Sequence, residues 1–404
     1  MRIALFPDDY LPDSTLVHAK MFHELALEFI RLGHTPIIIT PGKPEQSTRL
    51  CVDYIDGVEI WRFRNGQTRG VGKVKRALNE TLLSWNAWWA IKNEIRDAKF
   101  DACINYAPTI FFGPLMRKLK AHSNCYVYLI LRDMFPQWVI DEGIIKEGSL
   151  IAKYFRFFEK LNYDVADCIG LMSEANVLYF QKLFPHYSNL AILRNWANTT
   201  PLAVESYSLD IRKKYDLEDQ IIFFYGGNIG HAQDMSNLLR LARSMKSHPK
   251  ATFLFVGQGD EFDLVLRKKK EWLLDNLTVL PAVNQSVYKE LLTQVDVGLF
   301  SLAKSHKAHN FPGKLLGYML ESLPILGSVN PGNDVIKFIN DEGAGCAYVN
   351  GEDKLLYDAA IRYVSDPDLR QVHGCNALQV LKGSFSVGSA VEHLLCHIDK
   401  GNSK

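Results

Sequence analysis

This sequence lacks the features that mark a secreted, membrane-spanning or nucleic-acid-binding chain. Its seven cysteines form no C-x-x-C pair and are odd in number, which favours a reducing compartment and argues against structural zinc. No apolar run approaches the ~20 residues that span a bilayer, and the first one ends at Pro7, so we expect neither a transmembrane helix nor a signal peptide. A net charge of +1 provides no overall field for nucleic acid. We therefore expect a cytoplasmic protein that binds no nucleic acid.

Two common nucleotide-binding signatures are also missing. A G-x-G-x-x-G frame that starts at Gly257 has Phe262 in place of the third glycine, and one that starts at Gly226 has Asn228 in place of the second. No acid stands near position 279, where a ribose-binding carboxylate would end the next strand. These departures disfavour a nicotinamide dinucleotide. The chain contains no G-x-x-x-x-G-K-[ST] segment, which excludes a P-loop protein.

What is present is a long chain with a regular alternation of strands and helices. It has 404 residues, of which 47% are hydrophobic and 23% charged, so it is too long for one core and has the balance of a globular enzyme. Short apolar strands between helices favour parallel βαβ units. The predicted fold class is α/β, with two Rossmann-like, doubly wound parallel-sheet domains facing a central cleft. We predict an N-terminal domain over residues 1–195, a C-terminal domain over 196–384, and a C-terminal helix over 385–404 that packs back on the N-terminal domain.

The element predictions follow this alternation. One long helix is expected over Val74–Arg96. The predicted strands are Ile3–Phe6, Pro36–Thr40, Val58–Phe63, Ala102–Asn105, Tyr126–Leu131, Cys168–Met172, Ile221–Tyr225, Thr252–Val256, Leu277–Leu280, Val297–Leu302, Pro324–Leu326 and Cys346–Val349.

The segment over residues 309–321 contains an electrostatic oddity. It follows an apolar strand, and Pro312 suits the first turn of a helix that opens there. Gly313 allows close approach of another molecule, whereas Lys314 places a cation at the positive helix end, which costs about 0.3 kcal/mol or more. A bound anion would explain both residues. The alternative is a solvated surface lysine on an ordinary helix.

A second glycine-rich segment follows the first strand of the C-terminal half. Gly226, Gly227 and Gly230 come directly after that strand, and backbone amides in such a turn can reach a phosphate. The alternative is a tight strand-to-helix turn that binds no ligand.

Several segments in series resemble one enzyme family. FFYGGNIGHAQD, FLFVGQGDEF, LTQVDVGLFSL and FPGKLLGYMLESLPIL occur in the order and spacing of the family 4 glycosyltransferases, which have the GT-B fold. DDYLPDSTLVHAKMFHELALEFIRLGHTP, LILRDMFPQWVIDEG, FEKLNYDVADCIGLMSEAN and ILRNWAN extend the resemblance over nearly the whole chain. The combination of DDYLPDST and AKM with FPGKLLGYM is most similar to the N-acetyl-L-fucosaminyl transferases of bacterial O-antigen assembly.

This resemblance implies a retaining hexosyltransferase that uses a UDP-sugar donor. The diphosphate would meet the glycine turn and Lys314, while Gln258 and the backbone of Ala282 and Val283 would frame the base. Family members need no metal, and none is expected here. The implied donor-binding residues are Gly227, Asn228, Ile229, Gly230, Gln233, Gln258, Ala282, Val283, Asn310, Phe311, Pro312, Gly313, Leu315 and Glu321.

The chain departs from the family at the ribose contact. Many members carry two glutamates eight positions apart, and those positions are His309 and Gly317 here. Glu321 lies one helical turn beyond Gly317, and our hypothesis is that Glu321 or a backbone group takes over the ribose hydroxyls. The alternative is a solvated carboxylate near the end of the helix. The phosphate-binding Arg and Lys of the family are missing too, and His231 and Gln233 occupy their neighbourhood.

Candidate catalytic and acceptor-binding residues lie in the first half. Lys314 would stabilise the charge that grows on the leaving phosphate. Asp133 is a candidate to orient or deprotonate the acceptor hydroxyl, with Arg132 holding anionic groups, and the alternative is an Arg–Asp pair that fixes the loop. The residues expected to contact the acceptor are Asp9, Ser14 and Thr15 on the loop after the first strand.

Residues 62–89 have the composition of a membrane-binding surface. Six basic residues and no acid lie between Arg62 and Arg76, and Trp85, Trp88 and Trp89 follow. Such a segment suits an anionic membrane, and a lipid-linked (polyprenyl-diphosphate) saccharide acceptor would require docking there. The alternative is a solvated basic loop beside inward-packed tryptophans.

The sequence as a whole favours a glycosyltransferase at the inner face of the cell membrane. Its best-matching reaction is transfer of N-acetyl-L-fucosamine from UDP to a lipid-linked saccharide in O-antigen, lipopolysaccharide or capsule biosynthesis, with no metal or cofactor. Two alternatives remain open: a UDP-sugar epimerase of similar fold, and a non-catalytic nucleotide-sugar-binding subunit.

Overall fold

The protein is described here from a computed structural model, in which two compact units divide the chain. The described residues are 1–12, 14, 17–43, 45–68, 71–96, 98–107, 109–141, 143–197, 199, 209–305 and 311–402. Unit 1 comprises Met1–Asn198 and Val387–Lys404, and unit 2 comprises Thr199–Ser386. No helix among these residues has both the length and the apolar character needed to cross a bilayer.

Unit 1 is built on an eight-stranded sheet. Its strands are β1 (Arg2–Phe6), β2 (Thr35–Pro41), β3 (Leu50–Ile55), β4 (Val58–Phe63), β5 (Ala102–Ala107), β6 (Tyr126–Leu131), β7 (Cys168–Leu171) and β8 (Leu190–Ile192). Their order in the sheet is β3-β4-β2-β1-β5-β6-β7-β8, and all neighbours run parallel except β3 and β4.

Both faces of this sheet are buried. Ile3 and Leu5 of β1 point into one apolar cluster, whereas Ala4 and Phe6 point into another. This pattern is typical of parallel strands covered by helices on both sides. The helices of unit 1 are α1 (Val17–Arg31), α2 (Lys73–Thr81), α3 (Leu83–Ile91), α4 (Gly113–Ser123), α5 (Gln137–Asp141), α6 (Leu150–Val165), α7 (Glu174–Leu183) and the C-terminal α16 (Val387–Asn402).

Unit 2 repeats this design with six parallel strands. Phe224 and Phe223 of its central strand enter opposite apolar clusters, as in unit 1. The strands are β9 (Ile221–Asn228), β10 (Ala251–Gln258), β11 (Leu277–Pro281), β12 (Val297–Ser301), β13 (Ile325–Val329) and β14 (Gly345–Val349), in the order β11-β10-β9-β12-β13-β14. The helices are α8 (Ile211–Lys214), α9 (Met235–Ser244), α10 (Phe262–Glu271), α11 (Gln285–Leu292), α12 (Lys314–Leu320), α13 (Asp334–Asp341), α14 (Asp353–Ser365) and α15 (Pro367–Ser384).

The prediction of two Rossmann-like parallel-sheet domains is confirmed for each unit. Three details differ. The single helix expected over Val74–Arg96 is two helices that meet at Leu82, and β3 and β8 were not predicted. Trp196, at the predicted start of the second domain, is buried in unit 1 and donates a hydrogen bond from its indole N–H to the Met21 carbonyl at 2.9 Å.

Candidate functional site

Lys314 opens α12 with its ammonium group buried. The Nζ atom has no hydrogen-bond partner among the described residues and lies 3.4 Å from the centroid of the Tyr225 ring. Burial lowers the pKa of Lys314 well below its ordinary value, because desolvation penalises the charged form. The alternative of a solvated surface lysine is therefore wrong.

The start of α12 differs from the sequence prediction. The helix begins at Lys314 and has seven residues, so Pro312 and Gly313 precede it instead of forming its first turn. A tight turn joins them to the helix, since the Leu315 N–H donates to the Pro312 carbonyl at 3.0 Å. The unusual feature of Lys314 is thus the burial of its charge more than its place at a helix end.

One tyrosine fixes α12 against the sheet of unit 2. Tyr318 lies one turn after Lys314, and its hydroxyl donates to the Leu299 carbonyl at 3.1 Å while accepting from the Gly226 N–H at 3.2 Å. These bonds tie α12 to β12 and β9. They hold Lys314 over the end of β9, where Tyr225 lies.

The glycine turn at the end of β9 lies beside this ammonium group. Gly227 has φ +122, which only glycine adopts readily, and a Cβ atom there would lie 3.6 Å from the Lys314 Nζ. Gly257 is its register partner on β10, and a Cβ atom at Gly257 would come within 1.9 Å of the Gly227 carbonyl oxygen. The glycines therefore allow two backbones and one buried cation to meet closely.

The residues after Gly227 divide into exposed polar and buried apolar positions. Asn228 is exposed, and its side-chain amide donates to the Gln233 Oε1 at 2.8 Å. The Ile229 side chain is fully buried in the core, as is that of Leu315, so only the backbone of these two residues can meet a ligand. Gly230 precedes a short 3-10 helix over His231–Gln233.

The residues predicted to frame a base lie at the same sheet edge. Gln258 ends β10, is exposed, and is in register with Asn228. Ala282 and Val283 follow β11, the strand beside β10. Ala282 is exposed, whereas Val283 packs partly against the core.

Gly317, at the position of the family glutamate, lies close to α11. A Cβ atom there would lie 3.2 Å from the Leu292 Cδ1, so a larger residue would require this side chain to shift by a few tenths of an ångström. Glu321 lies just after α12, as its C-terminal cap residue. Phe311 packs against Phe385, with ring centroids 4.7 Å apart.

In unit 1, Arg132 holds another backbone segment and not Asp133. Its guanidinium is buried and donates to the carbonyls of Leu193 and Arg194 at 2.6 and 3.2 Å. The described residues include no ion pair between Arg132 and Asp133, so the alternative of an Arg–Asp pair that fixes the loop is wrong. The buried Nε atom of Arg132 has no hydrogen-bond partner among the described residues. Asp133 is exposed, and partial desolvation raises the pKa of its carboxyl group.

The predicted acceptor loop follows β1. Asp9 accepts hydrogen bonds from the Tyr10 N–H at 3.0 Å and from the Ser14 hydroxyl at 2.9 Å. These bonds bring Asp9 and Ser14 together on the loop. Thr15, and likewise Asn310 and His309 of the other predicted site, lie outside the described residues.

Comparisons with known proteins identify the domain that carries the buried lysine. Residues 208–380 match the model of the family described as glycosyl transferases group 1. Residues 208–380 therefore form a group 1 glycosyl transferase domain. The chain is 24% identical over 221 residues to a probable glycosyltransferase, WbjE, of Pseudomonas aeruginosa, a match that spans 54% of each chain and thus about half the length of that relative.

Two further similarities cover more of the chain. It is 22% identical over 339 residues to the putative colanic acid biosynthesis glycosyl transferase WcaI of Escherichia coli K12, covering 78% of this chain and 80% of that one. A solved structure of Anabaena Alr3699/HepE in complex with UDP has a TM-score of 0.67 at 13% identity, with 99% of this chain and all of the other covered. At that identity the likeness shows the fold, which is GT-B.

Sequence reasoning missed one residue of this site, Tyr225, and the position of Asp234 after the 3-10 helix. Tyr225 provides the ring over which the Lys314 ammonium lies, although the two residues are far apart in the chain. Asp234 follows the 3-10 helix with φ 45, and its carboxylate accepts a hydrogen bond from the Asn350 side chain at 3.0 Å. Neither contact leaves a local signal in the sequence.

Proposed function

We propose that this protein is a glycosyltransferase that transfers a sugar from a UDP-sugar, bound by unit 2, to a lipid-linked saccharide in bacterial polysaccharide assembly. The observation that carries the proposal is the buried Lys314 ammonium beside the Gly227 turn, within the group 1 domain. A buried charge without a hydrogen-bond partner is costly. A diphosphate at the turn would provide the missing acceptors.

The chemistry of transfer gives this lysine a role. When the bond between the sugar C1 atom and the diphosphate oxygen breaks, negative charge grows on the leaving phosphate. A cation and backbone amides fixed at that position stabilise the charge without reorganisation, and they do so most strongly where water is excluded. Since Lys314 supplies a positive charge of its own, the proposed reaction uses no metal ion.

The UDP-sugar donor is supported by a similar structure that holds UDP. Polysaccharide assembly is supported by the relative named for colanic acid biosynthesis. The finer assignments rest on the motif resemblance alone. They are N-acetyl-L-fucosamine as the sugar, a polyprenyl-diphosphate saccharide as the acceptor, retention of configuration, and an O-antigen or capsule product.

The acceptor would bind to unit 1. Asp9 and Ser14 on the first loop are the candidate contacts, and Asp133 is the candidate for the acceptor hydroxyl because its carboxylate is exposed and not paired with Arg132. A lipid-linked acceptor would also place the protein at the inner face of the membrane, through the basic and tryptophan-rich residues 62–89.

Mass spectrometry of lipid-linked products tests this function. The protein is incubated with a panel of UDP-sugars and a polyprenyl-diphosphate saccharide, with and without EDTA. We expect one sugar to be added, UDP to be released in equal amount, and EDTA to have no effect. Lys314→Met should abolish transfer, whereas Lys246→Met, an exposed lysine of the same unit, should not.

Two results would overturn the proposal. Conversion of the UDP-sugar without consumption of acceptor would indicate an epimerase. Binding of UDP-sugars without release of UDP, across the whole panel, would indicate a non-catalytic subunit.

A further inference from the structure

Unit 1 contains a cavity that the proposed donor site does not use. Its volume is about 630 Å³. Three segments enclose it: the residues before β3, the loop after β4, and helix α3. The lining side chains are Arg49, Arg64, Asn65, Trp85, Asn86 and Trp89.

The polar wall of the cavity is held in place by hydrogen bonds. The Asn86 amide donates to the Asn65 Oδ1 at 2.8 Å, and the Asn65 amide donates to the Gly66 carbonyl at 3.0 Å. Asn65 is buried, so these bonds fix the loop after β4 against α3. The cavity is therefore a built feature of unit 1 and not a gap between mobile side chains.

Its charge is positive. Arg49 and Arg64 are exposed, and the Arg64 N–H donates to the Arg49 carbonyl at 2.9 Å, which keeps the two residues side by side. Among the described residues, no carboxylate lies within ion-pair distance of either guanidinium and no acid lines the cavity. Guanidinium groups bind phosphate oxygens through paired hydrogen bonds.

An exposed apolar stripe leads to this cavity along α2 and α3. Leu82 joins the two helices with helical backbone angles, so the stripe is nearly continuous. Its members recur at helical spacing and are between 39% and 77% exposed. They are Val74, Leu78, Leu82, Trp85 and Trp89.

The last two members of the stripe are also the aromatic wall of the cavity. Cations accompany them there: the Lys118 Nζ lies 4.7 Å from the centroid of the Trp85 ring, and the Lys92 Nζ lies 3.5 Å from that of Trp89. The apolar stripe therefore ends at the cavity, whose walls carry positive charge. The ligand that fits both has a long hydrocarbon chain and a phosphorylated head.

The cavity lies at the edge of the sheet where the acceptor loop lies. Arg64 follows the last residue of β4, which runs parallel to β2 and so shares a carboxyl edge with β1. The Arg62 guanidinium, at the end of β4, donates to the Leu11 carbonyl of the loop that follows β1.

We infer that the cavity binds the diphosphate of the polyprenyl-linked acceptor, with the polyprenyl chain along the apolar stripe. This inference rests on the proposed function for its choice of lipid. The two guanidinium groups would hold the phosphate oxygens, and the Trp85 and Trp89 rings would meet the first isoprene units or the apolar face of the first sugar.

Vesicle sedimentation tests the inference. Phosphatidylcholine vesicles that contain polyprenyl diphosphate are compared with phosphatidylcholine vesicles that contain phosphatidylglycerol at the same surface charge. We expect the protein to bind the first about 30-fold more tightly, because the hydrogen bonds from two guanidinium groups to one diphosphate add to the surface attraction that both vesicles share. Arg49→Gln with Arg64→Gln should abolish this preference, and Arg49→Lys with Arg64→Lys, which keeps the charge but not the paired hydrogen bonds, should restore only part of it.

Matched variants distinguish the contribution of the apolar stripe to vesicle binding from general effects of substitution. Leu78→Gln with Leu82→Gln should weaken binding to both kinds of vesicle. The controls change equally exposed residues of unit 2 and should bind as the unaltered protein does. They are Lys246→Gln with Lys250→Gln for charge, and Leu355→Gln with Val372→Gln for apolar surface.

The possible outcomes distinguish the sources of phosphate. Equal binding to the two kinds of vesicle, or an unchanged arginine variant, would overturn the inference in favour of a general membrane contact. Calorimetry showing equally tight binding of inorganic diphosphate would overturn it in favour of a free-phosphate site. UDP binding is measured in every variant: if it is retained while the vesicle preference is absent, the inference fails and the proposed donor site stands.

Discussion

Replacement of Lys314 by methionine should stabilise the protein without ligand and weaken its binding of UDP. The buried ammonium lacks a hydrogen-bond partner among the described residues, which costs about 1–3 kcal/mol, and its contact with the Tyr225 ring returns about 0.5–2 kcal/mol. Methionine has a similar length and packs well against an aromatic ring. The net gain in the free energy of unfolding should be about 1 kcal/mol, or about 2–4 °C in Tm for a unit of this size.

Binding of UDP should make the unaltered protein more stable than the Lys314→Met variant. UDP at 100 times its Kd stabilises the unaltered protein by about 2.7 kcal/mol. Loss of a charged partner for the diphosphate should cost about 2 kcal/mol, or about 30-fold in Kd. At the same UDP concentration the variant should then gain only about 0.9 kcal/mol from the ligand. Including its initial advantage, it should be about 0.8 kcal/mol less stable than the unaltered protein.

The pH dependence adds an independent test. Because burial lowers the pKa of Lys314 below the 10.5 of the unfolded chain, the unfolded chain binds the proton more readily between the two values. The stability of the unaltered, ligand-free protein should therefore rise with pH in that window, and the variant should lack this contribution.

Thermal unfolding with and without UDP measures all three effects, with Lys246→Met as the control for loss of an exposed lysine. The reasoning is refuted if Lys314→Met lowers Tm without ligand while UDP raises Tm equally in both proteins.

Four other substitutions test single residues. Asp133→Asn should lower kcat while changing the free energy of unfolding by less than about 0.5 kcal/mol. Arg132→Met should lower the free energy of unfolding by about 3 kcal/mol, because it leaves two partly buried carbonyls unpaired. Loss of stability alone in both variants would exclude a chemical role for Asp133. His393→Gln should reduce the loss of stability on acidification, because burial lowers the pKa of His393 to about 4 and the unfolded chain therefore gains the proton first between pH 6.5 and 4. Hydrogen exchange of residues 387–402 at pH 7 and pH 5 measures this effect. Equal acid sensitivity of the variant and the unaltered protein would contradict it. Glu321→Ala should raise the donor KM, and an unchanged KM would remove Glu321 from the ribose site.

The parallel strands were predictable because their signal is local. Each is a short run of apolar residues buried on both faces, so Val58–Phe63 and Tyr126–Leu131 were predicted to the residue. Strand β3 lacks that signal because Cys51, Val52 and Tyr54 are exposed at the sheet edge. Its turn did carry a signal, since an Asp-Gly pair with positive φ at both positions is typical of a tight hairpin.

The candidate site was predictable in part. Lys314 could be found from the conflict between its charge and a helix start, but its burial depends on Tyr225 and Tyr318, which other segments bring to it. The pairing of Arg132 with the carbonyls of Leu193 and Arg194 was not predictable, because Asp133 is the nearer carboxylate in sequence. Contacts between distant segments depend on the tertiary fold and not on local pattern.

The return of α16 to unit 1 has a consequence for synthesis of the protein. Val391, Leu394 and Ile398 complete the same apolar cluster as Ile3 and Leu5, so the core of unit 1 cannot close until residue 398 has left the ribosome. Unit 2 is contiguous in sequence and is available to fold earlier. A chain cut after Ser386 should therefore retain a folded unit 2 while unit 1 exposes an apolar groove, which makes such a fragment a ready target for chaperones and proteases.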